Sequence, residues 1–128
     1  MITTTYNKEI NLLTAVLTEK VCIEDISSLT KSIQNKEVKT TPLRILVHAQ
    51  CEETSLTPTN IYWWTEKYSN IFERFTNTKL AIVAIRPLFV ALSQIFKYQI
   101  NLNNTEIEIF SNINNASKYL KIESYILK

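Results

Sequence analysis

A chain of 128 residues, 45% hydrophobic and 20% charged, has the size and make-up of one globular domain able to bury a core. Its net charge of +2, with Lys and Arg scattered, lacks the basic footprint that phosphate neutralisation needs, so nucleic acid is not an expected partner. The absence of any glycine removes the P-loop, the GxGxxG turn and the GxSxG nucleophile elbow, each of which depends on glycine's positive φ or missing side chain.

Ile2 to Tyr6 and Leu12 to Thr18 are β-prone runs flanking Asn7-Lys8-Glu9, which predicts a hairpin with Asn7 near its turn. Ile23, Ile26, Leu29 and Ile33 then step by three or four, with Glu24 and Asp25 at the front as the helix dipole favours, so a helix is expected to about Lys36. Asp25, the sole aspartate, reads as a helix-start residue rather than a phosphoacceptor at a strand end. In Pro42 to Phe75 a strand (Ile45, Val47 and Ala49 alternating with Arg44, Leu46 and His48) runs through a polar loop into a long aromatic helix. Thr57 is the expected N-cap and Pro58 the first helical residue, and Ile61, Trp64, Tyr68, Ile71 or Phe72, and Phe75 form its apolar face.

Leu80 to Ile85 is apolar on both alternating sets, the pattern of a strand covered on both faces. Arg86-Pro87 opens a third long helix with Leu88, Ala91, Leu92, Ile95 and Phe96 as the expected buried stripe. Ile107 and Ile109 alternate with Glu106 and Glu108 in a half-exposed strand near a sheet edge. Ser111 or Asn112 caps a last helix with Ile113, Ala116 and Leu120 inward and Tyr119 as a further candidate for that face, which 123–128 either continues or frays from. With no glycine, asparagine is expected to take the left-handed turns, at Asn7, Asn77, Asn103 and Asn104. The order ββαβαβαβα predicts one α/β domain over 1–128: a mixed, mostly parallel sheet of about five strands joined by right-handed crossovers, with the first strand antiparallel to the second.

That order, the strand LRILVHAQ leading through a Ser/Thr loop to a helix started by Thr57-Pro58, then KLAIVAIRPLFVALSQIF and TEIEIFSNINNASKYL, resembles the SpoIIAA-like family, which is related to STAS domains. The resemblance spans nearly the whole chain and rests on pattern. It implies a STAS-like fold and a regulator that binds partner proteins, in some cases switched by phosphorylation of a serine in an Asp-Ser pair between the equivalent strand and helix. It also implies, by analogy to lipid-transfer folds, a second role in binding apolar ligands. Here the loop reads Cys51-Glu52-Glu53-Thr54-Ser55-Leu56-Thr57-Pro58 and lacks the Asp-Ser-Ser-Gly pattern.

Two sets of residues stand out as candidate sites. Thr54, Ser55 and Thr57 precede a helix N-terminus, where backbone N–H groups and the dipole favour a phosphate or other anion, although Glu52 and Glu53 repel one and capping by Thr57 is the plainer role. Trp63 and Trp64 point about 100° apart on one helix, so only one indole occupies the centre of the apolar stripe. If Trp64 is the inward one, beside Ile61 and Tyr68, then Tyr62 or Trp63 is left at the flank or on the surface; with Phe89 and Phe96 on the next helix these would form an aromatic partner or ligand groove. A wide core is the plainer reading of any one of these aromatics. His48 and Cys51 do not make a catalytic pair, since one lies on a strand face, the other beyond the strand end, and no third group orients them.

Cys22 and Cys51 show neither CxxC nor His-rich spacing and fit reduced structural thiols. The N-terminus carries no leader pattern, and the longest apolar stretches, Leu80 to Ile85 and Leu88 to Leu92, are far too short to span a bilayer. The expectation is a cytoplasmic, non-enzymatic, STAS-like module without cofactor or metal, which binds a protein partner or itself as a homodimer. The alternative is a carrier or sensor of a small apolar ligand or lipid.

Overall fold

The two N-terminal runs pair as their composition predicts: β1 (Ile2–Asn7) and β2 (Leu12–Leu17) form an antiparallel ribbon with Ile2 opposite Leu17 and Tyr6 opposite Leu13. The chain continues through β3 (Lys20–Val21), α1 (Ile23–Ile33), β4 (Leu43–Ala49), β5 (Glu53–Thr54), α2 (Pro58–Phe72), β6 (Thr78–Val83), α3 (Pro87–Gln99), β7 (Thr105–Phe110) and α4 (Ile113–Leu120). This computed structural model describes residues 1–122, and the expectation for 123–128 falls outside the described residues.

Five strands form the main sheet in the order β1-β2-β4-β6-β7, parallel throughout except for β1. Each strand lies beside the one before it, so the crossovers all run in the same direction across the sheet. Right-handed crossovers that never reverse direction put their helices on a single face. Accordingly α1, α2 and α3 share one core with Leu13, Ala15, Ile45, Val47, Leu80 and Ile107. Only α4, which follows the last strand and is free of that constraint, covers the other face, where Ala116, Leu120 and Ile122 close over Leu46, Ala81 and Val83. β4 and β6 are thus interior strands buried on both faces, as their apolar runs require. β7 is an edge with Glu106 and Glu108 exposed.

The caps follow chemistry readable in the sequence. The Thr57 hydroxyl accepts the Asn60 amide proton at 3.3 Å and the Asn60 side chain accepts the Thr57 amide at 3.0 Å, a reciprocal box that starts α2. Asn112 caps α4 by accepting the Asn115 amide at 2.9 Å. The Asp25 carboxylate accepts the Cys22 amide at 2.9 Å across the first turn of α1.

Four details depart from the sequence reading. The loop after β4 contains a two-residue strand, β5, paired in parallel with β3, too short for alternation to reveal. α1 ends at Ile33 rather than near Lys36, and Ile23 is exposed at its first position. β6 ends at Val83, leaving Ile85 75% exposed. On α3 the buried residues are Phe89 and Leu92, whereas Leu88 is 52% exposed and Ala91 faces solvent. Two helical stripes overlap there, and the one through Phe89, Leu92 and Phe96 buries more aromatic area, so the helix is turned by one residue from the expected face.

The left-handed positions also differ from expectation. Among the described residues they are Asn11, Glu19 and Lys121, with φ of 49°, 57° and 59°, and none of Asn7, Asn77, Asn103 or Asn104 is among them. Asn11 owes its place to tertiary contacts: its buried amide donates to the carbonyls of Lys39, Thr41 and Pro42 at 3.1, 3.2 and 3.0 Å and its carbonyl accepts the Tyr6 hydroxyl, tying the hairpin turn to the entry of β4. Asn104 has a similar tying role, without a positive φ, through bonds to the Phe72 and Phe75 carbonyls at 3.1 and 2.9 Å.

Candidate functional site

The three crossover helices do not fill the space they enclose. A cavity of about 130 Å³ lies between the sheet and α1, α2 and α3. Its floor includes Leu17, Val47, Ala49 and Ile82, at the carboxyl ends of β2, β4 and β6, the end of an open parallel sheet where ligands characteristically bind. Ile26 and Leu29 of α1 close one side, Trp64, Tyr68 and Phe72 of α2 another, and Phe89, Leu92 and Phe96 of α3 the third.

The aromatic walls are packed against each other. Tyr68 meets Phe96 edge-on at 5.5 Å between centroids and lies 5.6 Å from Phe72. The Tyr68 hydroxyl is turned toward α1, where it lies 2.9 Å from the Thr30 hydroxyl and 3.5 Å from the Ile26 carbonyl. Burial pushes its pKa up to about 12 against the opposing effect of the Thr30 hydrogen bond, so the phenol stays neutral. Among the cavity's lining residues, Ala49 and Ser93 are small where larger side chains would reach into the space.

The four aromatics singled out in the sequence therefore separate. Phe89 and Phe96 line the cavity, with Phe89 buried and Phe96 half-buried, whereas Tyr62 and Trp63 are 52% and 60% exposed on the outer side of α2. They do not form one groove. The reason is the one-residue turn of α3, which carries Phe89 inward. Trp64 is 3% exposed and is the core indole; it joins the two places, since it lines the cavity and its ring centroid lies 6.0 Å from that of Trp63. The Lys67 ammonium sits 4.9 Å above the Trp63 ring, a cation–π contact that holds the exposed indole in place.

The hydroxyl loop is occupied by its own structure. Thr54 donates to the Val21 carbonyl at 2.7 Å and accepts the Leu56 amide at 3.0 Å, and Thr57 is committed to its cap. The Ser55 amide donates to Val21 at 3.1 Å and its side chain is exposed, next to the exposed Glu52 and Glu53. His48 and Cys51 serve different surroundings: Cys51 is buried in the core beneath α1 to α3, and His48, at an even position of β4, faces the other way, with burial lowering its pKa. The apolar stripe Ile61, Trp64, Tyr68, Ile71 or Phe72, and Phe75 pointed to the core but gave no sign that its residues bound a space, because a cavity has no residue to mark it.

A mixed five-stranded sheet with its crossover helices on one face and a terminal helix on the other is a SpoIIAA-like α/β fold. Among solved structures, the chain is similar to an uncharacterised protein of the DUF3478 family with a SpoIIAA-like fold from Shewanella loihica PV-4, with a TM-score of 0.59 and 16% identity, over 94% of this chain and 92% of that one. The likeness is one of fold. No family model and no curated protein matches the sequence. Among the described residues no helix is long and apolar enough to cross a membrane.

Proposed function

We propose that the protein is a non-enzymatic binding module that holds a protein partner, or a second copy of itself, on the outer face of α2. The observation behind this is the exposure of Trp63 and Tyr62 side by side on a helix whose inner face is already filled by Trp64 and Tyr68. Neither exposed ring is needed to complete the core, and Trp and Tyr are the residues that most often anchor protein interfaces. The free thiols Cys22 and Cys51 support a reducing, cytoplasmic setting.

The experiment is to compare wild type with Trp63→Ala by sedimentation equilibrium and by recovery of bound protein from cells of the source organism. Loss of self-association or of a specific partner, with the melting temperature unchanged, is the expected result. Equal association and equal recovery for the two proteins would sink the reading.

A second reading is favoured by a different observation, the apolar cavity beneath α1, α2 and α3. It makes the protein a carrier or sensor of a small apolar ligand.

A further inference from the structure

We infer that the cavity takes a neutral, apolar molecule of about one aromatic ring, and that it does not take a carboxylate such as that of a fatty acid. This rests on the carrier reading and narrows it to a ligand class. Size carries the first half of the inference: the space is about 130 Å³, and an engineered apolar cavity of about 150 Å³ stays dry and binds benzene.

The walls carry the second half. Trp64, Tyr68, Phe72, Phe89 and Phe96 contribute five aromatic rings, and the remainder of the lining is aliphatic apart from Ser93. The Tyr68 hydroxyl does not serve as a handle, because Thr30 and the Ile26 carbonyl already engage it on the α1 side. A carboxylate or amine taken into this space would lose its water with no charge to meet it, and an alcohol or amide would find no side-chain partner in the lining but the Ser93 hydroxyl. The cavity therefore selects by size and by the absence of polarity. Ala49 and Ser93 leave the space open, and a larger side chain at either place would fill it.

The chain holds two tryptophans, so Trp63→Phe leaves Trp64 as the sole indole, in the cavity wall. In that background, toluene, phenol and decanoate are titrated while the Trp64 indole N–H resonance and the melting temperature are followed. Toluene is expected to shift the resonance and to raise the melting temperature by about 4 °C at ten times its Kd, while phenol and decanoate do so at least tenfold more weakly. Ala49→Leu and Ser93→Leu, each of which fills the space, are expected to fold and to lose the toluene response; xenon uptake by either variant checks whether it kept the cavity. Decanoate or phenol binding as tightly as toluene overturns the ligand class and leaves the carrier reading standing. No response to any of the three probes or to xenon overturns both. A toluene response that persists in two cavity-filled variants that no longer take up xenon places the molecule elsewhere and also overturns the inference.

Discussion

Trp63 and Trp64 differ by a single step along α2, and that step separates a surface residue from one in the core. Trp64→Ala removes a buried aromatic from the wall of the cavity, so it should cost about 3–5 kcal/mol in urea unfolding. Trp63→Ala should cost less than about 1 kcal/mol, the loss of one exposed cation–π contact with Lys67. The spacing showed that only one of the two indoles could take the centre of the apolar stripe, and it left open which; the structure gives that place to Trp64. What spacing could not show is that Trp64 has empty space on one side, or that Phe89 rather than Leu88 turns inward, because both depend on how far apart the elements settle. Tyr68 offers a test of the cavity wall by pH. Its folded pKa, about 12, lies above that of an unfolded tyrosine, so its contribution to stability is complete below about pH 10 and is lost as the pH rises toward 12. Wild type should therefore lose stability across that interval more steeply than Tyr68→Phe. At neutral pH the variant should be weaker by about 1 kcal/mol for the missing bond to Thr30. Parallel curves for the two proteins would show that Tyr68 is free to ionise.

Among the elements, β6 was the most legible, because a run without charge in either alternating set has no alternative to burial on both faces. Val83 of β6 packs beneath Ala116 and Leu120 of α4, so Val83→Asp should leave no cooperative unfolding transition by circular dichroism. The ends of elements were less legible than their middles. The chain lacks glycine, and asparagine was the reasonable substitute at left-handed positions, yet Glu19 and Lys121 adopt them, Glu19 where its carbonyl accepts the Glu52 and Glu53 amides and Lys121 between the buried Leu120 and Ile122. Lys121 follows α4 at the place where glycine usually ends a helix. Relief of its crowded Cβ should make Lys121→Gly more stable by about 0.5–1 kcal/mol, after allowance for the looser unfolded chain. A lower urea midpoint for this variant would mean that the lysine side chain contributes more than the strain costs.

At the scale of the whole molecule, the two sheet edges differ in kind. The antiparallel β1 flanks one side, and β7 ends the other with Glu106 and Glu108 exposed and Lys97 bridging to Glu108 at 3.1 Å. Charges on an edge strand prevent it from pairing with another chain. Replacing both glutamates by valine should raise static light scattering at constant protein concentration, with little change in the unfolding midpoint. Scattering like that of wild type would show that the edge is protected by something other than charge. The succession of strands without reversal was also legible in outline, since alternating strands and helices imply parallel pairing, but the sequence did not show on which face each helix would lie. That followed only from the order of strands in the sheet, a property of the assembled chain.

The same unbroken order has a consequence for synthesis. As the chain leaves the ribosome, each new strand of the main sheet finds its neighbour already made, and no early strand must stay open to await a later one inserted between its partners. The growing edge is at every stage the edge that the next strand will cover. Of the two edges that remain, β1 is set by the first hairpin and β7 is the last to be made, and it is the last that carries the two glutamates.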